Sequence, residues 1–258
     1  MTQPLPRYRL IACEVMFREC AAAMANCKAI VDPEFLPKGL HDIGEAGMSS
    51  RIQSAIDATD PATYDAILLA YGLCNNGVRG LHAMRPLVLP RAHDCITLLL
   101  GSRQRYAEYF AANPGTYYKS PGWIERNTDP NDSPASIPAR LGLLRDRAAL
   151  AAQYGEDNAD FLMETMGNWL QNYRKLAFID TGVGDTAGYL DFSTSFARDK
   201  GWEMERVSGS LALIEGLLSG DWPEEDFLVL PPGERIDASW DERIVCPLRK
   251  NPDQNDNG

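Results

Sequence analysis

Tyr64-Asp65-Ala66-Ile67-Leu68-Leu69-Ala70, followed at once by Tyr71-Gly72-Leu73-Cys74-Asn75-Asn76-Gly77, is the stretch that decides the fold. Its apolar part is continuous rather than alternating, and a turn rich in Gly and Asn cuts it off. That is the pattern of a strand covered on both faces, as in a parallel sheet.

The neighbouring segments fit the same reading. Strands are expected over 8–13 and 28–36, with two further short apolar runs over 86–89 and 96–100. Helices are expected over 16–27 and 48–57, and another restarts over 101–110 with Ser102 as its cap. After residue 174 the alternation returns as strand 175–180, helix 187–200, strand 203–207, helix 210–218 and strand 226–230. Between the two lie a stretch over 113–125 rich in Pro, Gly and aromatics, a polar loop over 127–138 and helices over 141–154 and 159–173. The fold class is therefore α/β, with Rossmann-like parallel sheets in two halves facing a cleft. The expected division is 1–125, 126–174 as a connector, 175–248, and a disordered tail over 249–258. A similarity between 65–72 and 226–233 suggests that the halves are pseudo-repeated.

Composition narrows the function. With 25 Lys and Arg against 36 Asp and Glu, the net charge is -11. Nucleic acid and anionic membrane surfaces both need concentrated positive charge, so neither is an expected partner. No apolar run reaches the roughly 18 residues that cross a bilayer. The first residues do not read as a secretory leader, because Glu14 and Arg18 interrupt the apolar stretch. A cytoplasmic protein is expected, and its six cysteines then form no disulfide framework. Cys20, Cys27 and Cys246 read as packing residues, the first two following Cys13 at seven-residue spacing along one helix face.

The other three cysteines each stand where an apolar run ends: Cys13 before Glu14, Cys74 in the turn after 64–70, and Cys95 in Arg91-Ala92-His93-Asp94-Cys95. Side chains just past buried strands lie at the edge where α/β folds build their sites. If 93–95 is extended, His93 and Cys95 point to one side and offer an imidazole and a thiolate to a metal. A helix starting beyond Cys74 would lower its thiol pKa. Cys13, Cys74 and Cys95 are the expected metal ligands, with His93 as fourth ligand or base. Glu14 would accept a proton, and Asn75 and Asn76 would position substrate. Zinc suits this set; a [4Fe–4S] cluster held by three thiolates is the alternative. His41, on an expected loop, is a further candidate, whereas His82 reads as a packing residue. Residues 116–123 (Thr-Tyr-Tyr-Lys-Ser-Pro-Gly-Trp) suit a lid or pocket wall. Arg91, Arg103 and Lys119 would supply charge for an anionic substrate.

A separate signal is the strand 175–180 followed by Gly182-Val183-Gly184-Asp185-Thr186-Ala187, with Glu203 and Glu205 about 20 residues on. This has the layout of a dinucleotide fingerprint, with Gly182 and Gly184 as cofactor-binding positions. Asp180 and Asp185 would repel a phosphate.

At residues 71–77, at Pro90-Arg91-Ala92-His93-Asp94-Cys95-Ile96 and at Gly115 to Trp123, the chain resembles an uncharacterised prokaryotic family found beside corrinoid-dependent methyltransferase components. The resemblance implies one-carbon or methyl-transfer chemistry by association. Zinc methyltransferases that activate thiols use a His-x-Cys pair and a distant Cys, a chemical parallel that does not extend to the fold. The leading expectation is thus a metal-dependent enzyme, a methyltransferase acting on a small anionic or thiol-bearing substrate, with a corrinoid protein or methyltransferase as partner. The alternatives are a non-catalytic corrinoid or ligand-binding accessory protein, and a nucleotide-dependent enzyme using the Gly182/Gly184 turn.

Overall fold

The computed structural model describes residues 4–74, 76–126 and 173–248, with the side chains of His41 and Asp42 outside that description. At its centre is strand β3 (Ala66–Ala70), every residue of which is buried. Strand β1 (Arg7–Cys13) runs parallel to it, Tyr8 beside Ala66 and Ala12 beside Ala70. Strand β2 (Ile30–Leu36) flanks β1 on the other side, with Cys13 beside Leu36. Strand β4 (Leu87–Pro90) extends the sheet past β3, and β8 (Phe227–Leu230) closes it antiparallel, giving the order β2-β1-β3-β4-β8.

Parallel neighbours need crossovers. Helix α1 (Phe17–Asn26) carries β1 to β2 and helix α2 (Gly44–Asp57) carries β2 to β3. The chain thus moves from β1 to one side and then to the other. That reversal opens a crevice outside the carboxyl ends of β1 and β3, where α/β folds bind ligands. Cys13 is the last residue of β1, and the 71–74 turn leaves β3 at the same edge.

Helices α3 (Cys95–Leu100) and α4 (Arg103–Ala112) lead to a second sheet of β5 (Thr116–Lys119), β6 (Lys175–Asp180) and β7 (Glu203–Ser208), all parallel. Helix α5 (Pro121–Glu125) follows β5, and α6 (Ala187–Lys200) joins β6 to β7. Helix α7 (Ala212–Ser219) returns the chain to the main sheet, burying Leu213, Ile214, Leu217 and Leu218. Each such side chain contributes about 1.5–3 kcal/mol. A short hairpin, β9 (Ile236–Ala238) with β10 (Val245–Pro247), completes the described chain. Buried Arg91 ties it to the sheet, donating to the carbonyls of Glu224 at 2.7 Å, Arg243 at 3.1 Å and Val245.

The expected α/β class with parallel sheets is what forms. Three local readings change. The apolar run over 96–100 is helix α3, because Asp94 caps it by accepting from the amides of Ile96 and Thr97. The stretch over 113–125 is ordered as β5 and α5. The strands also cross the expected division, since β5 pairs with β6 while β8 returns to β4. The loop expected over 127–138, the helix over 141–154, all but the last residue of the helix expected over 159–173, and the tail lie outside the described residues. Among the described residues no helix is long and apolar enough to cross a membrane.

Candidate functional site

Two loops lock together at the carboxyl edge of the main sheet. After β3, Leu73 donates its amide to Ala92 at 2.8 Å and Cys74 donates to the carbonyl of His93 at 2.9 Å. Gly72 makes this approach possible: a Cβ there would stand 2.5 Å from the Asp94 nitrogen and 2.9 Å from the Ala92 carbonyl oxygen. Cys74 takes φ 42° and Asn76 φ 64°. Non-glycine residues enter this left-handed region at a cost of roughly 1–3 kcal/mol, which the surrounding contacts must offset, and such strain clusters at functional sites.

A third segment covers the first two. Gly122, in α5, packs so tightly on the turn after Cys13 that a Cβ would lie 1.7 Å from the Val15 carbonyl oxygen. One residue on, Trp123 donates its indole N–H to Cys95 Sγ at 3.4 Å. A cavity of about 390 Å³ lies among these segments, lined by Cys74, His93, Asp94, Cys95 and Ile96 and walled by Thr116, Tyr117, Tyr118, Trp123 and Tyr173. The aromatic stretch is therefore a pocket wall.

All three expected ligand thiols are buried. Burial pushes Cys13 up to about 11, with the charge of Glu14 adding to it and the Val15 amide and Lys38 acting against it. It pushes Cys74 up to about 12, where Asp94 and Cys13 raise it further while the amides of Gly72 and Cys95 hold it down. Cys95 is driven well above an ordinary thiol by burial, then by Asp94, Cys74 and Cys13, with the Trp123 donor opposing. No helix begins beyond Cys74 to lower its pKa. Cys13 acts on Cys74, and both act on Cys95, so folding brings the three thiols into one neighbourhood. Among the described residues, however, no group of three or more His, Cys, Asp and Glu side chains is set to hold a metal ion.

The remaining expected residues are placed as follows. His93 is not on extended chain; it sits in the loop before α3, exposed while Cys95 is buried, with its ring 6.1 Å from that of Tyr106. It stands at the rim between the thiol cavity and a larger one of about 850 Å³ against α4. Glu14 does not line the thiol cavity; its carboxylate accepts from the Lys38 amide at 2.8 Å and reaches Arg126 at 4.0 Å. Asn75 and the His41 side chain lie outside the described residues. Among the described residues neither Lys nor Arg lines the thiol cavity, although Lys119 Nζ stands 5.5 Å from the Tyr117 ring and Lys38 Nζ 5.4 Å from the Trp123 ring that wall it.

The Gly182/Gly184 turn is built as spelled, both glycines at positive φ between β6 and α6. A carboxylate occupies it. Asp180 accepts from the Gly182 amide at 2.9 Å, from the Thr186 hydroxyl at 3.1 Å and from the Arg206 guanidinium at 2.5 and 2.9 Å. Burial acts to raise its pKa, but these donors outweigh it and hold Asp180 below the ordinary carboxylate value. Glu203 and Glu205 lie towards the opposite end of the sheet, beside Lys175 and Ala177, where Glu205 pairs with Lys175 at 2.9 Å. The turn is thus closed by the chain's own anion, and the acidic residues stand at the wrong strand end for a ribose.

Sequence reasoning put Tyr118 in a pocket wall but assigned no role to its hydroxyl or to that of Tyr71. The hydroxyls of Tyr71 and Tyr118 are buried with no hydrogen-bond partner among the described residues. Tyr118 lines the thiol cavity, and the ionisation of Tyr71 is opposed first by burial and then by Cys13 and Cys74. A buried unpaired hydroxyl costs about 1–3 kcal/mol, a cost that a ligand accepting its hydrogen bond would offset. For Tyr71 the sequence signal was a tyrosine directly after an all-apolar strand.

A family model described as "Protein of unknown function (DUF1638)" matches residues 35–218, which include Cys74, His93 and Cys95 but not Cys13. No curated protein and no solved structure matches the chain. With most of its length matched, including both interlocked loops, the chain belongs to the DUF1638 family.

Proposed function

We propose that the protein is a metal-dependent enzyme of methyl-transfer metabolism, with Cys13, Cys74 and Cys95 as the donors to its metal centre. The observation that carries this reading is the burial of three thiols at the switch point of the main sheet, where Cys13 acts on Cys74 and both act on Cys95. Such thiols stay protonated at neutral pH and are poor nucleophiles on their own. A metal cation reverses this, because it offsets both desolvation and mutual repulsion, so metal binding and proton release are linked.

Among the described residues no group of three or more donors is set to hold a metal ion, so binding either group would require the thiols to draw together. Zinc draws sulfur ligands to about 2.3 Å from itself, and a [4Fe–4S] cluster held by three thiolates is the alternative. When bound by three cysteines, a cluster leaves one iron open to a substrate heteroatom. The protein's own part is to exclude water with the aromatic wall and to present His93 at the rim. The methyl-transfer assignment rests on the resemblance at 71–77, 90–96 and 115–123.

The test is reconstitution of the anaerobically purified protein with iron and sulfide, scored by metal analysis and visible absorbance. Iron and acid-labile sulfide should be retained, and Cys74→Ser and Cys95→Ser should each lose them while keeping the wild-type circular dichroism. Less than about 0.2 metal per chain after both reconstitution and zinc loading would remove the proposal.

A further inference from the structure

The larger cavity, of about 850 Å³, is a separate site: among its described lining residues only His93 also lines the thiol cavity. Helix α4 gives it Arg103, Tyr106, Ala107 and Phe110, the i, i+3, i+4, i+7 stripe that a surface helix ordinarily turns to a core. Yet no residue of α4 is buried, and Phe110 is 56% exposed. The rings of Tyr106 and Phe110 stack with centroids 5.8 Å apart, and among the described residues no Lys or Arg lies over either of them. The rest of the wall is rich in carboxylates. Glu225 and Asp226 come from the turn before β8, and Glu242 from the loop between β9 and β10. Among the described residues none of these three side chains has a hydrogen-bond or ion-pair partner. Arg103, the one guanidinium in the described lining, donates to the backbone carbonyl of Glu242.

We infer that this cavity binds a small planar organic cation of the amidinium or guanidinium class. Such a group is flat, delocalised and weakly hydrated, so its face stacks on an aromatic ring while its in-plane N–H groups donate to carboxylates. The Tyr106–Phe110 stack offers the ring face, and Glu225, Asp226 and Glu242 offer the acceptors. Carboxylates open to water are ionised at neutral pH, and Glu225 and Glu242 are exposed. An anion would meet these charges with one guanidinium to oppose them. A compact ammonium is more strongly hydrated and gains less from the ring. The volume is that of a small-molecule pocket. The inference goes beyond the metal proposal, because Cys13, Cys74 and Cys95 take no part in it.

The intact protein, with its metal content measured beforehand, is titrated calorimetrically to about 10 mM with four ligands that share one ring: benzamidine, benzylamine, benzamide and benzoate. Benzamidine should bind at least about fivefold more tightly than neutral benzamide and about threefold more tightly than benzylamine, and benzoate should give no heat. Phe110→Leu should weaken benzamidine by about threefold, and Glu225→Gln combined with Asp226→Asn by about tenfold, each variant being checked for folding by circular dichroism. These side chains are not part of the buried core, so the variants should fold. No benzamidine binding, equal binding of any of the other three ligands, or wild-type affinity in either variant would overturn the inference. Benzamidine binding to metal-free protein would uphold it even if the metal proposal failed, and a metal-loaded protein that ignores benzamidine would do the reverse.

Discussion

Trp123 and Cys95, 28 positions apart, meet through an indole N–H donated to sulfur at 3.4 Å. The contact joins the aromatic wall to the amino end of α3, and the donor lowers the pKa of Cys95 against burial and three neighbouring charges.

Replacing Trp123 by Phe keeps an aromatic ring in the wall and removes that donor. Stability should fall by about 1 kcal/mol. In metal-free protein, Cys95 should also be alkylated more slowly than in wild type, because its thiolate loses the indole donor that stabilises it. Urea unfolding and peptide mass spectrometry of the Cys95 segment read the two effects. Unchanged labelling would show that the N–H does not act on the sulfur.

The interlock of the two loops predicts a contrast between glycines. Gly72→Ala places a Cβ 2.5 Å from the Asp94 nitrogen and 2.7 Å from its Cα, backbone atoms that cannot swing aside. The 71–74 turn must then separate from 92–94, and the cost should be about 1–3 kcal/mol together with loss of metal retention. Gly39→Ala meets nothing within 4 Å and should stay within about 0.5 kcal/mol of wild type. Chemical denaturation of the pair decides it, and equal stabilities would mean that the loops do not pack this closely.

Much of this was legible in sequence, for identifiable reasons. Residues 66–70 lie between two strands and under helices, so every position is apolar, and the pattern announces a parallel strand. The run after Cys95 looks the same because all six residues of α3 are buried; the Asp94 cap, a signal two and three positions away that the apolar run overshadowed, marks it as helix. The antiparallel entry of β8 depends on where α7 docks, which local periodicity does not encode. The fingerprint at 182–187 was spelled out, yet its use depends on a carboxylate two residues earlier folding back into it. Cysteine positions at strand ends pointed to the site edge, whereas the unpaired hydroxyls of Tyr71 and Tyr118 emerge only once three distant segments close over them.

The seam between the sheets should be pH-sensitive through Glu19. It is 1% exposed at the start of α1; Oε1 accepts from the Thr181 hydroxyl at 2.9 Å, and Oε2 has no partner among the described residues. Burial is the main cause of its raised pKa, with the charge of Glu125 adding, while its own amide, Thr181 and Arg18 act against it. A carboxyl whose folded pKa exceeds its unfolded value binds its proton more tightly when folded, so folding is favoured in acid. The advantage is full below the ordinary value of 4.5 and is lost as pH rises through the folded pKa. Glu19→Gln removes that penalty while keeping an acceptor for Thr181. The variant should therefore equal or fall below wild type at about pH 4, gain on it as pH rises above the ordinary carboxyl value, and level off once Glu19 is ionised in the fold. Parallel denaturation curves across that range are the measurement. A constant difference between the two proteins would show that Glu19 titrates in the fold as it does in the unfolded chain.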